Sequence, residues 1–330
     1  MLFSAFVTTI TQDKFFPKVT DNILKGNVLL ERFLGNAKPW GSGHIYRVPV
    51  KYQKSTAGGS YEGFDTFSTS QMNTRVLASY SPMQNYFSVV VAGIQRAVNK
   101  GEAAVVDLLA TEMDSVADDM RDGLGTQFYS DGTGNSSKDI DGLALTISSS
   151  ATLGGLDVAS YSTWASDLDS DAEPLSLADL RQSLTDATVG DKSPTMVVTT
   201  PTLWQKLESL MQANLQYHTQ VQGYPRINRF TTRGKGGQVG DTGFDSIYVR
   251  GIPVVKDDKC TSTYIYNINE ENIWFATIPH PDYPTMSNGI AWTGLKEPTN
   301  QDAKVGQFLL YGNFICNSRR TSSYLTGKTA

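Results

Sequence analysis

Residues 101–123 read GEAAVVDLLATEMDSVADDMRDG. Apolar side chains recur at Val105, Leu108, Leu109, Met113, Val116, Met120 and Leu124, a spacing that keeps one stripe along one side of an α-helix. The other side carries Glu102, Asp107, Glu112, Asp114, Asp118, Asp119 and Asp122, with Arg121 as its only base. Such a face stays in water or meets cations from another subunit. At about 1.5 Å per residue the helix would span about 34 Å, enough to act as the spine of a domain. Gly101 is expected to open it, and Gly123 with Gly125 to close it.

Upstream of the helix the period changes to two. Tyr46, Val48, Val50 and Tyr52 share one face of a strand, and Arg47, Lys51 and Gln53 the other. A glycine-rich turn, STAGGSYEGF, follows, and alternation returns through Val76, Ala78 and Tyr80. The reading is a long projecting hairpin, with no opposing layer in its own subunit to bury its apolar face. A further strand, Tyr86 to Val91, leads into the helix. The first residues, up to Gly35, show broken helical spacing at Ile23, Leu24, Leu29, Leu30 and Phe33, compatible with two short helical turns or an extended arm.

Downstream of the helix, FYSDGTGNSSKDIDGLALTI reads as a polar turn and a short apolar strand. Ser176 to Val189 has helical spacing, and TMVVTTPTLWQKL joins a buried strand to a helix with Thr200 as N-cap and Pro201 in its first turn. Strands are expected at 247–249, 252–255, 264–268, 273–278 and 308–316. The last should return to the sheet beside the spine, closing an α+β architecture with an inserted domain.

The 330 residues suffice for a sizeable core. Two cysteines, Cys260 and Cys316, are too few for a disulfide framework and are read as structural thiols. No apolar run reaches the roughly 18 residues of a spanning helix. A net charge of −5 argues against a chain built to grip nucleic acid. Abundant glycine, 29 residues, and 10% aromatics suit strands, turns and broad contacts between surfaces.

No catalytic constellation assembles. His44, His218 and His280 lack a neighbouring nucleophile. The C-terminal TGKT, 326–329, has Ser322 where a phosphate-binding loop needs glycine, and no helix follows it. Asp131, Asn135, Asp139 and Asp141 miss the calcium-loop spacing. Asp167, Asp169, Asp171 and Glu173 read as an exposed acidic loop, and Asn135-Ser136-Ser137 as a glycosylation triplet without a secretion context. Arg226, Arg229, Arg233 and Lys235, interleaved with Tyr224 and Phe230, could touch phosphates but read better as a loop that meets a neighbouring subunit.

Several phrases in order carry a resemblance: NILKGNVLLERF, GG…SYEGF, NKGEAAVVDLLATEMDSVADDMRDGLGTQFYSDGTGN…IDGL, GGLDVASYSTWAS, VVTTPTLWQKL and GFDSIYVRGIPVVKDD. Together they resemble the major capsid protein of tailed double-stranded DNA bacteriophages, with the Hong Kong 97-type fold. The resemblance implies an N-terminal arm at 1–41, an extended β-hairpin loop at 42–82, a peripheral domain at 83–153 and 302–330 around the spine helix, and an axial domain at 154–301. It implies hexamers and pentamers that build an icosahedral head around double-stranded DNA without sequence-specific binding. It further implies a virion protein assembled in the host cytoplasm with no membrane partner, no enzymatic role, no cofactor and no metal. A separate scaffolding protein, or loss of a preceding segment, is implied too, as are a portal and room for a decoration protein. Tyr46, Arg47, Lys51, Tyr52, Tyr61, Phe64, Arg226 and Arg229 are the expected intersubunit contacts. Crosslinking through Lys51 or Lys54 is not expected from residue type alone. A tail or other self-assembling protein, or an enzyme with an unrecognised site, are the alternatives.

Overall fold

The computed structural model describes residues 27–41, 43–67, 70–98, 108–215, 246–283, 285 and 289–330. The chain runs α1 (Val28–Gly35), β1 (Lys38–Pro39), β2 (Tyr46–Lys51), β3 (Arg75–Tyr80), β4 (Met83–Ala92), α2 (Gly93–Val98) and α3 (Leu108–Phe128). Then come α4 (Leu143–Thr146), β5 (Asp167–Asp169), α5 (Leu177–Asp186), β6 (Met196–Thr199) and α6 (Pro201–Leu215). The remainder is β7 (Ser246–Val249), β8 (Ile252–Lys256), β9 (Ile265–Ile268), β10 (Ile273–Thr277), β11 (Ile290–Trp292), β12 (Ala303–Cys316) and β13 (Ser323–Leu325).

The long strand β12 organises the first sheet, as expected for a chain that returns beside its spine. It pairs antiparallel with β4 along one edge, from Ala303↔Ala92 to Gly312↔Met83, and with β11 and β10 along the other. The spine helix α3 packs on this sheet. It differs from expectation at its end: it runs through Gly123 and Gly125 to Phe128. Glycine inside a helix costs about 1 kcal/mol relative to alanine, but here packing decides. A β-carbon on Gly123 would press the Phe87 ring at 3.0 Å, and one on Gly125 would overlap the Asn27 side chain. The Asn27 amide lies in that space and donates to the Arg121 carbonyl (3.0 Å). The start of the helix at Gly101, with Glu102, Val105 and Asp107, lies outside the described residues.

Phe128, Phe275, Phe314 and Phe33 form an aromatic knot between helix and sheet, with ring centroids 4.8–5.3 Å apart and mostly edge-to-face. Such pairs contribute about 0.5–1.5 kcal/mol beyond the area they bury. Helix α1 supplies Phe33 and is capped from afar: the Leu29 N–H donates to the buried carboxylate of Asp257 (3.1 Å). Burial pushes the Asp257 carboxyl up, and the N–H groups of Lys259 and Leu29 pull it back. Lys259 of the same turn pairs with Asp122 of α3, and Arg32 of α1 with Glu270 (2.6 Å), so this junction ties α1, the spine and the second sheet together.

The second sheet, ordered β5-β13-β9-β6-β8-β7, carries its own apolar layer from α5 and α6, with Leu180, Leu184, Leu203 and Leu207 buried. The expected cap acts at the start of α6, where Thr200 accepts from the Leu203 N–H (3.4 Å), and a capping box of Ser176 and Asp179, not expected from the sequence, starts α5. Two readings are corrected. The apolar run expected as a strand near Ile140–Ile147 is the single helical turn α4, because Gly142 packs against the carbonyls of Gln127 and Ser130, a space in which any β-carbon would clash. A four-residue apolar run has no period long enough to tell strand from helix. The acidic stretch 167–173 is not simply solvated. Asp169 (3.1 Å), Glu173 (3.3 Å) and Asp179 (3.6 Å) surround the fully buried ammonium of Lys328.

Candidate subunit-contact surface

The hairpin forms as its alternation dictates. β2 and β3 pair antiparallel from Tyr46↔Tyr80 to Lys51↔Arg75, so directly opposed residues share a face. One face holds Val48, Val50, Ala78 and Tyr80. It is covered by its own subunit: Val48 and Val50 are each 7% exposed, Ala78 and Tyr80 still less. The expectation that this apolar face awaits a neighbour is therefore corrected. The layer that covers it comes from the loop at 153–164, far along the sequence. The Ser79 N–H donates to the Gly154 carbonyl (2.8 Å), Thr163 donates to the Tyr52 carbonyl (2.8 Å), and Tyr52 meets Tyr161 edge-on at 5.1 Å. Gly154 has φ +60°, and a β-carbon there would lie 3.0 Å from Ala78 and 3.2 Å from the Tyr80 ring. Tyr80 completes the anchor, its hydroxyl donating to the Cys316 carbonyl (2.7 Å) and accepting from the Cys316 N–H (3.3 Å). Burial drives both groups away from ionisation, the tyrosine strongly and the Cys316 thiol up to about 12.

Beneath this cradle lies Arg319, buried without a carboxylate partner among the described residues. Its guanidinium donates to the carbonyls of Leu145 (2.8 Å), Thr146 (3.0 Å) and Ala151 (2.7 Å) and sits over the Trp164 ring. Two carbonyls at the end of the α4 turn, with that of Ala151 beyond it, thus stand in for an anion. Burial lowers its affinity for the proton, yet a guanidinium stays charged.

Beyond the stem the picture reverses. Tyr61 and Phe67 are 65% exposed, their rings edge-on to each other at 4.9 Å, and Phe64 is 106% exposed. The tip keeps its shape through polar bonds, Glu62 N–H to the Asp65 carboxylate (2.8 Å) and Asp65 N–H to the Glu62 carbonyl (3.0 Å). A fully uncovered phenylalanine on such a turn has no role within its own subunit. Of the expected contact residues, Tyr61, Phe64, Arg47 and Lys51 are exposed. Tyr46 is half-buried against Trp40 (5.3 Å), and Tyr52 is held by Tyr161. Arg226 and Arg229 lie outside the described residues, as do Arg233, Lys235 and His218. Sequence reasoning missed Phe67 and Leu77 on the hairpin, and an apolar stripe of Tyr86, Val90 and Ile94 on and just after β4, all exposed. The alternation of β4 held the signal: Tyr86 and Val90 stand on the opposite face from Phe87, Val89 and Val91, which turn toward the spine.

Among the described residues no group of three or more His, Cys, Asp or Glu side chains is placed to hold a metal, and no helix is long and apolar enough to cross a membrane. Asp131 accepts from the Thr133 hydroxyl (2.7 Å) and Asp141 from the Asn313 amide (2.7 Å), so both shape the turn after the spine.

No family model and no curated protein matches the sequence. Solved structures do. The capsid asymmetric unit of cyanophage A-1(L) is 15% identical, with 100% of both chains covered and a TM-score of 0.71. The capsid of Myoviridae phage XM1 is 12% identical over 99% of this chain and 98% of that one, at 0.57. The SrpI encapsulin of Synechococcus elongatus is 11% identical over 99% and 96%, at 0.56. From the long β12, the spine packed on it and the second sheet beyond, matched end to end, the chain has the Hong Kong 97-type fold that phage capsid proteins and encapsulins share.

Proposed function

We propose that this chain is the shell-building subunit of a phage head, assembling as hexamers and pentamers into an icosahedral container for double-stranded DNA. The end-to-end match to a phage capsid chain supports this reading most, because both chains are covered over their whole length. The uncovered tip at Tyr61, Phe64 and Phe67 supports it independently, as an anchor of the aromatic kind that interfaces favour. The assignment of 1–41 as arm, 42–82 as extended loop, 83–153 with 302–330 as peripheral domain and 154–301 as axial domain belongs to the same proposal. So do a separate scaffolding protein, a portal, a site in the virion and a purely structural, non-enzymatic role. A negative net charge suits a container wall, since a basic wall would hold each DNA strand it touched. The test is sedimentation with negative-stain imaging of the purified full chain, alone and with crowding agent, over a wide concentration range. Closed particles or hexameric and pentameric rings are expected. A monodisperse monomer under every condition contradicts the proposal, and small trimeric rings would favour a tail protein.

A further inference from the structure

The strands that edge the two sheets are of two kinds. β1, β5 and β7 are two, three and four residues long; β1 is Lys38-Pro39, and Asp167 and Asp169 flank Leu168 on β5. Short strands, charges and proline keep a free edge from pairing with other chains. β4 has none of these devices. It runs ten residues, MQNYFSVVVA, without a charge or a proline and in unbroken register against β12. Among the described residues no strand lies along its other side.

Two bonds at the end of β4 fix which backbone groups are left over. The Gly93 N–H donates to the Asp302 carbonyl (2.9 Å), on the β12 side, whereas the Ala92 N–H donates to the Gln95 side chain (3.2 Å). Alternation along an antiparallel strand then points the N–H and C=O groups of Gln84, Tyr86, Ser88 and Val90 away from β12. The side chains of Tyr86 and Val90 are exposed too, on one face of the sheet, with Ser88 midway between them.

We infer that β4 pairs antiparallel with β4 of a second copy, about a two-fold axis at Ser88. That register sets Tyr86 of each copy opposite Val90 of the other, an aromatic against a β-branched side chain, which is a favourable cross-strand pair. The outward N–H and C=O groups of Tyr86, Ser88 and Val90 then all find partners across the axis. The contact is isologous, each copy giving what it receives, and an uncharged strand meets its own copy without repulsion. A strand of a different chain would have no use for the symmetry about Ser88. The inference rests on the shell-subunit reading, since a closed icosahedral shell has two-fold axes where rings can join, and it names the strand that lies there.

The experiment compares full-length wild type with S88P, Y86K, V90E and Y86K/V90E by sedimentation, negative-stain imaging and amide exchange, with circular dichroism melts to check folding. Proline at position 88 removes an N–H that faces away from β12, which an edge strand tolerates, and the exposed positions 86 and 90 keep the test decisive should S88P fail to fold. S88P, Y86K and V90E should each weaken the joining of rings into closed shells about tenfold or more. The double variant sets a lysine against a glutamate twice across the axis and should recover most of the loss. In the wild type the amides of Tyr86, Ser88 and Val90 should exchange fast in the free subunit and slowly in the particle. Shells formed as readily by the single variants, or a double variant no better than either parent, overturn the pairing and leave the shell reading intact. Slow exchange of the three amides in the free subunit would place another part of the same chain on this edge, and also overturns the pairing. Unchanged shells with loss of a second bound protein in S88P would assign the edge to that protein instead. A wild type that never associates overturns both readings.

Discussion

The stem and the tip of one hairpin follow opposite physical rules. The stem is an ordinary part of the core: Val48, Val50, Ala78 and Tyr80 are buried, and the Tyr80 hydroxyl bonds both the carbonyl and the N–H of Cys316. The tip, with Phe64 fully exposed, buries almost nothing. On the proposed function, the difference is how a subunit would hold out a surface for a neighbour. The chain spends its apolar residues fixing the direction of the projection, and leaves at the end only the aromatics that another surface can cover.

Substitutions should separate the two parts by the size of their effect on stability. Tyr80→Ala should cost the most, about 3–5 kcal/mol, because it opens a cavity and strips the Cys316 backbone of its partners. Urea unfolding would measure it, and a loss below about 1 kcal/mol would show the stem to be only loosely seated. Arg319→Met should follow at about 3 kcal/mol, since three buried carbonyls lose their donor and the 145–151 segment loses its tie to the cradle. Gly154→Ala should cost about 1–2 kcal/mol from its left-handed backbone, more where the Ala78 contact cannot yield. At the other extreme, Phe64→Ser should leave stability within about 0.5 kcal/mol of wild type while reducing assembly. A thermal melt paired with sedimentation reads both, and a stability loss as large as that of Gly154→Ala would place Phe64 in the core.

Much of this was legible beforehand. The two hairpin strands, the helices after Ser176 and Thr200 and the returning strand at 308–316 all follow from local period and turn chemistry, and the structure has each. What was not legible depended on distant partners. Gly123 and Gly125 look like helix terminators until Phe87 and Asn27 are seen to fill the space they leave. The acids at 167–173 look solvated until Lys328, more than 150 residues away, is found among them. The stem looked uncovered because its covering layer, Gly154 to Thr163, reads as plain loop. Among the contact candidates, alternation correctly put Arg47 and Lys51 outward. It could not separate Tyr46 and Tyr52, held by Trp40 and Tyr161, from Tyr61 and Phe64, which stay exposed.

The central claim, that the stem belongs to its own subunit and the rest of the hairpin to another, is tested most directly by amide hydrogen exchange on free and assembled protein. Amides of β2 and β3 that bond across the stem should be protected in both states. Those of residues 58–67 should exchange freely in the subunit and become protected in the particle. Protection of the tip in the free subunit, or a tip still open in assembled particles, would contradict the account.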